Sequence, residues 1–278
     1  MNYKFVFFGT PRFAEIVLET LIEKELTPSL VICNPDRPFG RKKIITPPPT
    51  KVLAEKYNIP ISQPETLKGY EFPGGEYDFA VVAAYGKIIP KEILEIPKFG
   101  TIGVHPSLLP KYRGATPIQS VILNGEKETG LSLYLMDEKM DHGKILKQSS
   151  LNIENGETYL SLEKKLGILG GKLVAETIPL YLSEKITPEE QNHDEATFTK
   201  KMTTEDAFVP YEYLECALKG SCEKSEEIER KVRALTPEPG VWTINNGKRM
   251  KILETKIMEK KIMLTKIQME GKKPQEIS

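Results

Sequence analysis

The chain has 278 residues, with 39 Lys+Arg against 39 Asp+Glu, and is 39% hydrophobic and 28% charged. That length and apolar content suit one large or two smaller domains with a real core. The balanced charge argues nothing about partners, so local charge has to decide them.

The apolar runs are too short to cross a bilayer. The cysteines, Cys33, Cys216 and Cys222, are odd in number and lack metal-ligand spacing. No disulfide framework and no metal site is therefore expected, and a reducing cytoplasm is the expected compartment. Residues 4–8 are a continuous apolar-rich run ending at Gly9-Thr10-Pro11, and the N-terminus enters this strand pattern directly, so no signal peptide is expected. Phe13, Ile16, Val17, Leu18, Leu21 and Ile22 then recur at helical spacing. Gly9 lies where a phosphate could meet a helix N-terminus, but without a G-x-G-x-x-G pattern a tight strand-to-helix turn is the better reading.

Residues 29–33 read as a second short buried strand, with Cys33 a core residue. Residues 34–49 form a long loop that carries Arg37, Arg41, Lys42 and Lys43 against a single acid, Asp36, and whose prolines and Gly40 exclude regular structure. A compact basic loop with an apolar tip can enter a groove of folded RNA; a solvated mobile loop is an equal alternative on these residues alone. Residues 79–84 and 101–105 are a third and fourth strand. Strands apolar on both faces and separated by helical patterns predict a Rossmann-like α/β domain with a mostly parallel sheet. Tyr85-Gly86 follows the third strand at the edge where such sheets bind ligands, Gly86 allowing close backbone approach and Tyr85 offering a flat ring; a turn with a packing tyrosine is the plainer alternative.

Residues 131–136 and 145–151 look like later strands that can pair antiparallel, and residues 158–182 a long closing helix. Residues 183–204 turn polar. Weak helical periodicity follows over 207–234, and after Pro237-Glu238-Pro239-Gly240 the pattern becomes β, with Asn245-Asn246-Gly247 a hairpin turn. The expected organisation is a catalytic domain over 1–185, a linker over 186–204 and a small β-rich module over 205–278.

His105, one of only three histidines, ends the fourth strand, and Asp141 follows a later one. An imidazole beside a carboxylate is held in one orientation and its protonated form is stabilised, which makes the two a candidate acid/base pair. A satisfied structural histidine and a turn-capping aspartate are the alternatives.

Residues Gly100 to Gln119, containing Val104-His105-Pro106-Ser107-Leu108-Leu109-Pro110-Lys111-Tyr112-Arg113-Gly114, resemble the signature of folate-dependent formyltransferases, and Met136-Asp137-Glu138-Lys139-Met140-Asp141-His142-Gly143 resembles their second signature. Three features are similar to the branch of that family acting on initiator tRNA. They are Asn34 to Arg41 with Thr46-Pro47, Gln63 to Leu67 with Ala84 to Ile88, and Arg230 to Gly240, the last like the start of an OB-like C-terminal domain. The resemblance implies transfer of the formyl group of 10-formyltetrahydrofolate to the α-amino group of methionine on initiator tRNA. It implies that His105 and Asp141 handle the amine proton, that Ser107, Leu108, Leu109, Pro110, Tyr85 and Gly86 hold the folate, and that Arg37, Arg41, Lys42 and Lys43 position the tRNA. A cytoplasmic monomer without membrane partner is expected.

Two positions depart from the pattern. Gly103 stands where the family has an asparagine whose amide polarises the formyl oxygen, and losing one such donor costs on the order of 10²–10³ in rate. A water or a neighbouring donor such as His142 can stand in, and Gly103→Asn is expected to raise turnover if the missing amide is limiting. The strands after Leu253 also follow so closely that the C-terminal barrel is expected to be shortened. The competing expectations are a tRNA- or folate-binding homologue impaired by Gly103, and a transferase acting on a nucleotide-linked amino sugar.

Overall fold

In the computed structural model, which describes residues 3–40 and 42–277, the chain runs β1 (Phe5–Gly9), α1 (Arg12–Glu23), β2 (Leu30–Ile32), β3 (Arg37–Phe39), β4 (Ile44–Thr46), α2 (Pro49–Lys56), β5 (Ile61–Ser62), β6 (Phe79–Ala83), α3 (Lys91–Leu94) and β7 (Thr101–His105). It continues through β8 (Arg113–Gly114), α4 (Pro117–Leu123), β9 (Glu128–Leu135), β10 (Ile145–Asn152), α5 (Tyr159–Leu182), β11 (Phe198–Thr199), α6 (Tyr211–Lys219), α7 (Ser225–Leu235), β12 (Trp242–Asn245), β13 (Lys248–Met258), β14 (Lys261–Met269) and β15 (Gln275–Glu276). Two compact units emerge. The first comprises residues 1–113, 129–151 and 163–198, the second 114–128, 152–162 and 199–278. Among the described residues no helix is long and apolar enough to cross a membrane.

The first unit is built on a seven-stranded sheet of order β10-β9-β7-β6-β1-β2-β5. β1 is parallel to β2 and β6, β2 to β5, and β6 to β7. β1, β6 and β7 are buried along their whole length, which is why they read as unbroken apolar runs rather than alternating ones. One face carries Val6, Phe8, Ile32, Val82, Tyr85 and Ile89 as a continuous core. The order reverses at β1, with β2 on one side and β6 on the other, so the carboxyl ends of β1 and β6 border the switch point where open α/β sheets take ligands. Past β7 the direction changes: β9 is antiparallel to it, with Ile102 opposite Leu135, Gly103 opposite Tyr134, Val104 opposite Leu133 and His105 opposite Ser132.

Helix α5 lies close against α1 because small residues face it: a Cβ on Gly171 would stand 2.5 Å from Thr20 Cβ and 2.9 Å from the Val17 carbonyl oxygen. Residues 34–49 depart from expectation. β3 and β4 pair antiparallel, with Arg37 opposite Thr46 and Phe39 opposite Ile44, so the stretch is a hairpin rather than an irregular loop. Pro38 is tolerated because this ribbon has only two strands, both of them edges. The expected basic residue Arg41 lies outside the described residues.

In the second unit, α7 packs against α4 and β13. Arg230 Nε donates to the Leu123 carbonyl (3.2 Å). The sheet is an antiparallel meander of order β12-β13-β14-β15. Asn246 and Gly247, with φ of 49° and 72°, make the expected hairpin turn, and Glu259 and Lys260, with φ of 46° and 68°, make a second one that joins β13 directly to β14. That turn accounts for how closely the strands after Leu253 follow one another. Cys216 and Cys222 are joined by a disulfide, contrary to the expectation from cysteine count, whereas Cys33 is a buried free thiol that burial pushes up to about 11.

The α1–α5 contact makes an opposed pair of expectations testable. Helix propensity favours Gly171→Ala by about 1 kcal/mol, but overpacking against the Val17 carbonyl costs typically 1–3 kcal/mol. Chemical denaturation is expected to show a net loss of stability.

Candidate active site

His105 ends β7 with its side chain almost wholly buried. Nδ1 lies 3.6 Å from Asp141 Oδ2, within ion-pair range and just beyond a direct hydrogen bond. Catalytic contacts are often this loose before substrate arrives. Nε2 lies 2.9 Å from the Tyr112 carbonyl oxygen. A carbonyl only accepts, so Nε2 carries the hydrogen in this bond and Nδ1, facing Asp141, is the nitrogen left to gain or lose a proton. Asp141 has φ of 49°, a left-handed conformation that aspartate tolerates better than most residues. The two groups approach each other as expected, but only His105 stands at a strand end; Asp141 lies in the loop between β9 and β10, six residues past Leu135.

The loop after β7 is braced from β9 and β10. Ser132, directly opposite His105, donates through its hydroxyl to the Ser107 carbonyl (2.7 Å) and accepts from the Leu109 amide (2.9 Å). Gln148 Nε2 donates to the Leu109 carbonyl (2.8 Å) and to the Ser132 hydroxyl (2.7 Å). The Ser107 hydroxyl, buried, donates to the Lys111 carbonyl (2.6 Å). Ser107, Leu108, Leu109 and Pro110 thus form a rigid rim beside His105, with Leu108 and Pro110 partly exposed.

At the switch point, the Tyr85 carbonyl accepts from Thr10 Oγ1 (3.2 Å) and Asn34 Nδ2 (3.0 Å), which ties together the ends of β1, β2 and β6. The Tyr85 ring does not present a flat face to a ligand. It is buried edge-on to Phe8, with centroids 5.4 Å apart, and burial pushes its hydroxyl up to about 12. What this segment offers is backbone: Gly86 is exposed with φ of 81°. Two features fit a flat organic ligand here. Asn34 Oδ1 is buried without a hydrogen-bond partner. Ile88 and Met140, on the segments after β6 and β9, are 92% and 56% exposed.

Several residues invisible as site residues in the sequence surround this centre. Gln191, in the polar stretch read as linker, is buried; its Nε2 donates to the Asp141 (3.0 Å) and Gly143 (2.7 Å) carbonyls, and its Oε1 accepts from Arg113 Nη2 (2.6 Å). Arg113 Nη2 also donates to His193 Nδ1 (2.8 Å), and the His193 ring stacks on that of His142 at 4.0 Å. His142 Nδ1 pairs with Asp137 Oδ2 at 2.7 Å, which commits that ring nitrogen of the residue considered as a substitute donor. Tyr134 donates its hydroxyl to Asp141 Oδ1 (2.8 Å). It alternates with Leu131, Leu133 and Leu135 and reads as core; the one signal is a hydroxyl-bearing aromatic among those leucines.

The basic hairpin is exposed. Phe39, Ile44 and Ile45 are each more than 60% exposed, and Lys42 and Lys43 stand at its turn. Arg37 Nη2 pairs with Glu65 Oε2 at 2.6 Å, both side chains open to solvent. At its base Asp36 accepts from Gln63 Nε2 (2.8 Å) and Lys51 Nζ (2.9 Å), which together hold its carboxyl below the usual carboxylate range.

Residues 2–178 match the family described as formyl transferase, and residues 222–262 match the formyl transferase C-terminal domain. A methionyl-tRNA formyltransferase of Caldicellulosiruptor saccharolyticus is 42% identical over 258 residues, 91% of this chain and 79% of that protein. One of Bacillus subtilis is 39% identical over 91% of this chain and 78% of that protein. Among solved structures, a methionyl-tRNA formyltransferase from Clostridium thermocellum superposes with a TM-score of 0.61 at 19% identity, covering 96% of this chain and 98% of that one. A sugar 3N-formyl transferase solved with dTDP and 5-N-formyl-THF gives 0.62 at 20% identity, covering 93% and 88%.

The Gln191 brace predicts its own test. Gln191→Leu leaves two carbonyls and a buried guanidinium short of partners, each costing about 1–3 kcal/mol. Urea unfolding is expected to show a loss of at least about 2 kcal/mol, where a solvated linker residue would show almost none.

Proposed function

The chain belongs to the formyl transferase family and is a one-carbon group transferase; we propose that it moves the formyl group of 10-formyltetrahydrofolate to the α-amino group of methionyl initiator tRNA, giving N-formylmethionyl-tRNA. The observation that carries the choice of acceptor is the set of relatives named for that reaction, 39–42% identical over nine tenths of the chain. The likeness to a sugar transferase is at 20% identity and speaks to the fold.

The folate substrate supplies a formyl carbon open to attack by an amine. The amine adds to that carbon, an oxyanion develops on the formyl oxygen, and the carbon–nitrogen bond to the folate breaks as the amine loses its proton. His105 takes up that proton at Nδ1 and passes it to the departing folate nitrogen, which leaves as a neutral amine, and Asp141 stabilises the imidazolium formed between the two transfers. Ser107, Leu108, Leu109 and Pro110, held rigid by Ser132 and Gln148, hold the folate together with the backbone of Tyr85 and Gly86. Arg37, Arg41, Lys42 and Lys43 grip the acceptor stem, with Phe39 and Ile44 of the hairpin available to pack against unpaired bases. The module over 205–278 binds the tRNA body; of the stretch expected to join it to the catalytic domain, residues 186–198 belong to the first compact unit. The enzyme works as a cytoplasmic monomer.

An assay with 10-formyltetrahydrofolate and methionyl-tRNA, run beside a nucleotide-linked amino sugar, tests the acceptor; formylation of the sugar alone overturns the reading. His105→Ala is expected to lower turnover by about 10²–10⁴ with tRNA affinity unchanged, and an equal loss of both rejects its role in proton transfer. Replacing Arg37, Lys42 and Lys43 by Gln is expected to weaken tRNA binding and flatten its salt dependence, by about 0.7–0.9 in log–log slope for each phosphate no longer neutralised.

A further inference from the structure

Gly103 and Tyr134 are direct cross-strand partners in the antiparallel β7–β9 pair. Side chains of directly paired residues share one face of a sheet. A Cβ built on Gly103 would overlap Tyr134 Cε1 and stand 2.5 Å from Cζ and 2.8 Å from the hydroxyl oxygen. The ring therefore lies across the glycine, in the volume any other residue at position 103 would fill. His105 lies two residues along β7, on that same face. From this position the Tyr134 hydroxyl reaches Asp141 Oδ1 (2.8 Å), while Asp141 Oδ2 faces His105 Nδ1 (3.6 Å). We infer that Tyr134 is the positioning residue of the acid/base pair: its hydroxyl holds one carboxylate oxygen of Asp141 so that the other is aimed at His105, and Gly103 is the space that its ring requires. This rests on the reading of His105 and Asp141 as the groups that move the proton.

The chemistry suits the role. A phenol donates one hydrogen bond in a fixed plane, and a bond to a charged acceptor is about twice as strong as one between neutral groups. Tyr134 is buried, and both burial and the adjacent Asp141 charge hold its hydroxyl well above its usual value, so it remains a donor throughout the working pH range. Asp141 is thereby fixed from two directions, by Tyr134 at its side chain and by Gln191 at its backbone carbonyl. The glycine at 103 is half of a two-residue arrangement, and the expectation that Gly103→Asn alone raises turnover does not survive it. The new side chain would be driven into the Tyr134 ring and would displace the hydroxyl from Asp141.

Two measurements test the inference. In the first, Tyr134→Phe keeps the ring over Gly103 and removes only the hydroxyl. Turnover is expected to fall roughly tenfold to a hundredfold, with KM for folate and for methionyl-tRNA unchanged. In an Asp141→Asn background the same substitution is expected to cost almost nothing further, because the interaction it removes acts through Asp141. Unchanged turnover in the single variant, a rise in KM in place of the loss in turnover, or an equal loss in both backgrounds overturns the positioning role. The second measurement needs no substrate. Gly103→Ala is expected to lower Tm by about 5 °C alone and by little in a Tyr134→Leu background, where the smaller side chain leaves room for the methyl group. Additive effects would overturn the interlock. If the wild-type enzyme does not formylate methionyl-tRNA, the acceptor reading falls. The kinetic comparison then runs on the amine the enzyme does accept, and the thermal comparison stands unaltered.

Discussion

The antiparallel pairing of β7 with β9 is the constraint on which the site depends. The rest of the first unit's named strand pairs from β5 to β7 are parallel, and a parallel strand ends its catalytic side chains at one edge only. Reversing direction at β9 sets residues of the later strand directly opposite those of the earlier one. The register does the remaining work. It puts Ser132 across from His105, where its hydroxyl can brace the loop that follows β7, and Tyr134 across from Gly103, where its hydroxyl reaches Asp141. A shift by one residue would turn both hydroxyls to the opposite face.

The site is accordingly a small number of side chains held by a larger number of backbone contacts. His105 is fixed through Nε2 by the Tyr112 carbonyl, Asp141 through its own carbonyl by Gln191, and the loop from Ser107 to Pro110 by Ser132 and Gln148. Arg113 joins Gln191 to His193, and the His193 ring lies against His142, so all three histidines of the chain belong to one connected neighbourhood. Preorganisation of this kind keeps reacting groups near their working geometry before substrate binds.

Much of this was readable in advance, and the reason is local. Buried parallel strands are unbroken apolar runs, Asn246-Gly247 demands a hairpin, and His105 stands at the end of a strand that the pattern marks. What escaped depended on contacts distant in sequence or on what a pattern hides. Tyr134 lies in a run of Leu131, Leu133 and Leu135 and looks like one more core residue; only the register against Gly103 exposes its second role. Gln191 sits in a polar stretch that composition assigns to solvent, yet its partners Asp141 and Gly143 lie fifty and forty-eight residues away. The prolines of residues 34–49 argue against a regular sheet but not against a two-stranded ribbon, whose outer edges need no donors.

The segment that carries Gln191 bears on how the chain can be divided. By composition the natural place to cut would be near residue 185, where the closing helix ends and polar residues begin. Yet the first compact unit extends to Phe198, and the stretch between threads back as a plug beneath the aspartate turn. A fragment ended at the helix would keep His105 and Asp141 and lose the strut that Gln191 sets beneath Asp141. The C-terminal boundary of the first compact unit therefore falls at Phe198, beyond the point that composition advertises.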